Sequence, residues 1–194
     1  MRRVIIAITG ASGVIYGIRA LQLLQDVSDI ETHAIISPAA FRTALEEVDM
    51  SAEEIKALPD YLYNHRDIGA AISSGSFCTD GMLVMPCSVK TLSGIANCYN
   101  DELIIRAADV CLKERRRVVL LFRETPIHAG HIALMDQATR NGAIIMPPVP
   151  AFYNKPKTLN DVVDQTVGRA LDLFDIHLAH VKRWKENEPG SAGD

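Results

Sequence analysis

Apolar positions along the chain gather into short continuous runs separated by stretches of helical spacing. The runs cover Val4–Ile8, Thr32–Ile36, Gly81–Met85, Val118–Phe122 and Ala143–Met146. Each is mostly apolar and too short for a helix, which is how a strand buried on both faces reads. Between them the spacing predicts helices over Val14 to about Gln25, Pro38–Glu47, Thr91–Ala96, Leu103–Arg115, Ile132–Arg140 and Leu159–Phe174. The Leu103 segment places apolar residues at 103, 104, 107, 108, 111 and 112, one face of a helix. Pro38 suits a first helical turn, where its missing N–H costs nothing. Alternation of this kind predicts an α/β fold, a single Rossmann-like (flavodoxin-like) domain with a parallel sheet and helices on both faces. The domain is expected to span residues 1–185, with the polar tail 186–194 disordered.

Composition narrows the picture only modestly. A chain of 194 residues, 48% hydrophobic but 6% aromatic, supports one sizeable domain with an aliphatic core. The net charge of -4 argues against a nucleic-acid partner, which normally meets a basic face. The dense basic run Lys113–Arg117 reads by itself as a solvated helix end. Cys78, Cys87, Cys98 and Cys111 form no Cys-x-x-Cys pair, so reduced thiols are expected rather than a disulfide framework or zinc site. His128 and His131 could share a helix face, but no third ligand accompanies them, and no metal is expected. No apolar stretch approaches the roughly 18 residues of a membrane span, and the first strand begins where a secretory signal would need its basic segment. The expectation is a soluble cytoplasmic protein with no membrane partner.

In a doubly wound sheet, ligands sit at the carboxyl ends of the strands. Here those ends read Thr9-Gly10-Ala11-Ser12, Ser37, Pro86-Cys87-Ser88, Arg123-Glu124 and Pro147 to Tyr153, all small, polar or proline-bearing. The first loop looks built for a phosphate. A nucleoside triphosphate would need Gly-Lys-Ser/Thr, which is missing. Glycines at 10, 13 and 17 resemble some dinucleotide loops, but the second strand ends Ile36-Ser37-Pro38 without the acidic residue that holds an adenosine ribose. A second hydroxyl-rich turn, Pro86-Cys87-Ser88-Val89-Lys90-Thr91, would aim N–H groups and the Ser88 and Thr91 hydroxyls at an anion or ring edge. Two such turns suit the two ends of a flat, phosphorylated ligand, and flavin mononucleotide (FMN) fits better than a dinucleotide. A glycine turn that merely reverses the chain is the plain alternative.

These residues also carry a resemblance. TGASG, Ser37, MPCSVKTLSGIA, ELIIRAADVCLKERRRVVLLFRETP and PPVPAFYNKP are similar to the UbiX-like flavin prenyltransferases, over residue 2 to about Trp184. AAISSGSFCTDGM and AFYNKP look most like the branch described as the B subunit of phenolic or hydroxyarylic acid decarboxylases. The resemblance implies joining a dimethylallyl group from dimethylallyl phosphate to N5 and C6 of reduced FMN. The product, prenylated FMN, would serve a UbiD-type decarboxylase. It implies FMN contacts from Gly10, Ala11, Ser12, Ser37, Cys87, Ser88, Val89, Lys90, Thr91 and Arg123. Arg106, Lys113, Tyr153 and Arg169 would take the substrate phosphate, and Trp184 would line the prenyl pocket. Ser12, Glu47 and Glu124 would be catalytic, moving protons. It further implies a homododecamer with the flavin site at subunit junctions. PIHAGHIALMDQATRNG departs from the family's I-H-L-E-N-M-like pattern, so the resemblance says least about residues 127–137.

Taken singly, most of these residues have plainer readings. Lys113 suits a helix end, Arg169 a solvated face, and Glu124 beside Arg123 a surface ion pair. Cys87 fits a size requirement better than a nucleophile. Two other functions fit the fold. One is a non-catalytic FMN carrier or accessory subunit, which would have no need of a second cationic site. The other is an FMN-dependent cysteine decarboxylase, whose histidine after the first helix and P-x-M-N loop are replaced here by PAAFRTAL and PPVPAFYN.

Overall fold

The computed structural model describes residues 1–179 and 181–183. Six strands form one parallel sheet: β1 (Arg2–Ile8), β2 (Ile30–Ile36), β3 (Tyr61–Tyr63), β4 (Gly81–Cys87), β5 (Arg117–Phe122) and β6 (Ile144–Ile145). Helices α1 (Val14–Gln25), α2 (Pro38–Glu47), α3 (Ala52–Lys56), α4 (Val89–Ala96), α5 (Leu103–Lys113), α6 (Ala129–Arg140) and α7 (Leu159–Asp172) connect and cover it. The order is β3-β2-β1-β4-β5-β6, the doubly wound order. Without the three-residue β3 it is the flavodoxin order, so both fold names expected from the sequence apply.

Each strand of the sheet interior is buried on both faces because helices cover both. One core joins Val4, Ile6, Ile8, Leu83 and Leu121 to α1 and α7. The other joins Ile5, Ala7, Met82, Val84 and Leu120 to α4 and α5. Alternate residues of the same strands supply the two cores, as strand geometry requires. Arg19 of α1 holds Asp164 of α7 with two hydrogen bonds, at 2.6 and 3.1 Å, locking these helices together at the surface.

Several expected boundaries shift. α6 begins at Ala129, not Ile132, because His128 acts as its N-cap and accepts from the Gly130 N–H at 3.0 Å. The helix predicted over Leu103–Arg115 stops at Lys113, and Arg115 takes a left-handed φ of 58°. The closing helix stops at Asp172 rather than Phe174. The strand expected over Ala143–Met146 narrows to Ile144–Ile145. β3 and α3 went unpredicted.

The order in which strands are added reverses between β1 and β4: β2 and β3 extend to one side, β5 and β6 to the other. The connections that leave the carboxyl ends of β1 and β4 diverge at this point, leaving a crevice bounded by the loops after β1, β4 and β5. Pairing of β4 with β5 also shifts register between Val84 and Cys87, next to the crevice.

Candidate active site

The crevice is a shallow pocket of about 360 Å³ lined by Gly10, Ala11, Ser12, Ser88, Val89, Lys90, Arg123 and Glu124. Residues from three loops, up to 114 positions apart in the chain, thus meet at the switch point. All eight are residues that the sequence singles out.

Thr9 ties the first two loops together. Its buried hydroxyl donates to the Pro86 carbonyl at 2.7 Å and accepts from the Ser88 N–H at 2.9 Å. The Arg123 N–H donates to the Cys87 carbonyl at 3.1 Å, joining the third loop. Thr9 carries no expected role from the sequence. Its signal there was a polar side chain at the end of an otherwise apolar strand.

The glycines of the first loop have separate causes. Gly13 takes φ 93°, a left-handed conformation that a side chain would strain. A Cβ on Gly17 would lie 2.3 Å from the Met85 carbonyl oxygen, so this glycine lets α1 press against β4. The spacing that resembles a dinucleotide fingerprint therefore serves a turn and a close helix–strand approach.

Ser88 N-caps α4, accepting from the Thr91 N–H at 3.3 Å, and its hydroxyl also meets the Thr91 hydroxyl at 3.1 Å. The N–H groups of Val89 and Lys90 occupy the first helical turn, where the helix offers them no carbonyl, and they border the pocket. Ser37 caps α2 in the same manner, through the Ala40 N–H at 3.1 Å, one strand away. Cys87 and Thr91 are buried, so they shape this turn from beneath rather than offer side chains to the pocket. Burial pushes the Cys87 thiol far above its ordinary range, which rules against a thiolate nucleophile.

Glu124 is half-buried and accepts from the Thr125 N–H at 3.0 Å. Glu47, at the end of α2, points to the base of the first loop, where its Oε2 accepts from the Gly13 and Val14 N–H groups at 2.8 and 3.1 Å. Lys90 reaches Glu102 at 3.2 Å, so it bridges the pocket rim to the start of α5.

The expected phosphate residues lie elsewhere on the same chain. Arg106, in the second turn of α5, pairs with Asp109 at 3.1 Å. Lys113, at the far end of α5, pairs with Glu114 at 2.5 Å, close to where β5 begins. Arg169 pairs with Asp172 in the last turn of α7, beside the amino ends of the strands: Arg2 of β1 bonds the Phe174 carbonyl at 2.5 Å. The Tyr153 hydroxyl contacts the Lys182 carbonyl and the Gln165 amide, both at 3.3 Å. The fold thus gathers seven of the ten residues expected to contact flavin (Gly10, Ala11, Ser12, Ser88, Val89, Lys90 and Arg123) around one pocket, leaves Ser37, Cys87 and Thr91 outside its lining, and carries Lys113 and Arg169 to the opposite ends of the strands. Trp184 and the tail 186–194 lie outside the described residues.

The donor set of the pocket fits a phosphorylated flavin. It offers two serine hydroxyls, first-turn N–H groups and two cationic side chains against a single carboxylate, Glu124. No group of three or more His, Cys, Asp or Glu side chains stands together as a metal site among the described residues. No described helix is long and apolar enough to cross a membrane.

Fold and site together define an α/β protein with a mononucleotide-type pocket at its switch point. Comparison with known proteins agrees: the family model described as Flavoprotein matches residues 1–171. The flavin prenyltransferase UbiX of Salmonella typhimurium is 57% identical over 187 residues, 95% of this chain and 99% of that protein. The crystal structure of AnUbiX (PadA1) in complex with FMN and dimethylallyl pyrophosphate superposes with a TM-score of 0.92 at 49% identity, covering 94% of this chain and 97% of that one. The dodecameric FMN-dependent UbiX-like decarboxylase from Escherichia coli O157:H7 gives a TM-score of 0.91 at 45% identity, covering 94% and 98%. The chain belongs to the UbiX-like flavin prenyltransferase family.

Proposed function

We propose that this protein transfers a dimethylallyl group from dimethylallyl phosphate to N5 and C6 of reduced FMN, and that the prenylated FMN formed is passed to a UbiD-type aromatic acid decarboxylase. The observation that carries this reading is the meeting of Ser12, Ser88, Lys90, Arg123 and Glu124 at the switch point, within a chain 57% identical to a flavin prenyltransferase.

Bound reduced flavin supplies an electron-rich ring able to attack an allylic carbon. The chain's residues bind, orient and move protons around it. The Gly10–Ser12 loop, Ser37 and the first turn of α4 hold the phosphate and the polar ring edges through hydroxyl and N–H donors. Arg123 closes the pocket beside the ring. Loss of phosphate from an allylic carbon leaves negative charge on the leaving group, and Arg106, Lys113, Arg169 and the Tyr153 hydroxyl stabilise that anion without a metal. Glu124 takes the proton lost when the carbon–carbon bond closes at C6, after the carbon–nitrogen bond at N5, while Ser12 and Glu47 relay protons near N5. Trp184 shelters the allylic group.

Because Lys113 and Arg169 stand at the opposite ends of the strands from the pocket, they serve the pocket of a neighbouring copy in a homododecamer. Exposed Ile127, Ile132, Val149 and Phe152 flank the pocket side of the chain and suit such a junction. With four free cysteines among the described residues, we assign the protein to a reducing compartment, the cytoplasm.

Anaerobic incubation with reduced FMN and dimethylallyl phosphate, followed by mass analysis of the released flavin, tests the reading. A flavin heavier by one C5 unit, formed equally with a chelator present and lost in Glu124→Gln, supports it. Tightly bound but unmodified FMN would favour the carrier instead.

A further inference from the structure

We propose that Gln165 and Asp172 are positioning residues for the leaving phosphate, holding the Tyr153 hydroxyl and the Arg169 guanidinium on one face of α7. The inference rests on the prenyltransferase reading for the roles of Tyr153 and Arg169; the contacts themselves are independent of it.

Residues 165, 169 and 172 follow one another at i, i+4 and i+7, so their side chains share a helix face. Gln165 is 5% exposed. Its Nε2 donates to the Lys182 carbonyl at 2.7 Å and to the Tyr153 oxygen at 3.3 Å. The Tyr153 hydroxyl donates to that same carbonyl at 3.3 Å. A buried amide with these partners fixes where the phenol oxygen stands.

Two turns further on, the Asp172 side chain is 6% exposed and collects three partners. Arg169 donates through Nη1, Arg183 through Nη2 at 2.6 Å and Nε at 3.2 Å, and His177 meets it through Nδ1 at 2.8 Å. Burial pushes the carboxyl upward, but the hydrogen bonds from Arg183, His177 and Arg169 outweigh that and hold it at about 2. Asp172 is therefore a carboxylate throughout the working pH range.

One carboxylate against two guanidinium groups leaves the cluster positive. Arg169 uses one nitrogen on Asp172 and keeps 46% of its side chain exposed, so its remaining N–H groups are presented outward to an anion. A guanidinium already held in place loses little freedom when phosphate arrives, which is the advantage of preorganisation. Both positioning residues also grip the chain at 182 and 183, immediately before Trp184. The same contacts thus set the phosphate donors and the approach to the prenyl pocket.

The test is a pair of double-mutant cycles on the assembled protein: Asp172→Asn with Arg169→Gln, and Gln165→Leu with Tyr153→Phe. Rates of prenylated-flavin formation are measured against dimethylallyl phosphate concentration, with inorganic phosphate as inhibitor and melting temperature recorded for every variant. Asp172→Asn should raise the KM for dimethylallyl phosphate and the inhibition constant of inorganic phosphate by about tenfold or more, leaving the KM for FMN unchanged. That effect should vanish on the Arg169→Gln background, and the effect of Gln165→Leu should vanish on Tyr153→Phe. A lowered melting temperature with an unchanged donor KM, or an equal effect on both backgrounds, overturns the proposal and leaves a clasp for the carboxyl-terminal segment. If Asp172→Asn does not fold, the Gln165 cycle decides alone. If the wild type forms no prenylated flavin, the prenyltransferase reading fails by itself. Calorimetric binding of inorganic phosphate to wild type and variants then decides the inference: weaker binding in Asp172→Asn or Gln165→Leu sustains the anion site, and equal binding removes it.

Discussion

Glu47 caps a helix that is not its own: its carboxylate accepts from Gly13 at 2.8 Å and Val14 at 3.1 Å, where α1 begins without any side-chain cap from Gly13. A negative charge there also complements the helix dipole. The last residue of α2 thereby sets the floor of the pocket's first loop. Replacing Glu47 by Ala should cost about 1 kcal/mol of stability, the usual worth of an N-cap, read from urea unfolding. Glu47→Gln keeps an acceptor oxygen and should retain most of that stability. Slow prenyl transfer in the stable Gln variant would identify proton relay as a second role; unchanged turnover would leave the cap as its only one.

Gly17 should tolerate no side chain. The Cβ of alanine would meet the Met85 carbonyl oxygen at 2.3 Å and Ile8 Cγ1 at 2.7 Å, and backbone cannot yield as a side-chain tip can. Gly17→Ala should destabilise by about 1–3 kcal/mol, the common cost of overpacking. A variant as stable as wild type in denaturant titration would show that α1 can shift on β4.

The four thiols should divide into two classes. Cys78 and Cys98 are exposed, whereas Cys87 and Cys111 are buried. Burial raises the Cys111 thiol to about 11 and the Cys87 thiol further still. A disulfide reagent at neutral pH should modify two cysteines rapidly in the native protein and all four after denaturation. Rapid native labelling of Cys87 would reopen a reactive role for the α4 turn.

Acid should reveal the Asp172 cluster. Its carboxyl is lowered from 3.8 to about 2, so its stabilisation is complete above about pH 4 and is lost as pH falls through 2. The shift corresponds to roughly 2 kcal/mol. The stability gap between wild type and Asp172→Asn, from urea unfolding at a series of pH values, should therefore narrow between about pH 4 and 2 and stay constant above. A gap that does not change with pH would mean that volume and packing, not charge, set the contribution.

Much of the fold is legible in the sequence because its signals are local. Mostly apolar runs of four or five residues mark strands buried on both faces, and the spacing of α5 marks its buried side. The elements that escaped are those whose local signal is weakest. β3 is only Tyr61–Tyr63, and Tyr61 and Leu62 are exposed at the sheet edge, so it shows neither a buried run nor a long alternation. α3 is five residues long, but its capping box, Ser51 with Glu54, was readable. His128 as the cap of α6 was not, since histidine is an uncommon N-cap.

The sequence by itself determined the alternation of strands and helices, the strand ends at which the pocket lies, and the hydroxyl-rich turns at residues 10–12 and 88–91. Each depends on chemistry within a few residues. Only the tertiary structure decided that Thr9 would bridge to Pro86 and Ser88, that Glu47 would cap α1, and that Asp172 would gather Arg169, His177 and Arg183. It also decided that Lys113 and Arg169 would stand at the opposite ends of the strands from the pocket. The reason is that α5 and α7 both carry those cations to the amino ends of the strands. The destination of a side chain across the sheet is set by the packing and direction of whole elements, and no periodicity within an element encodes it.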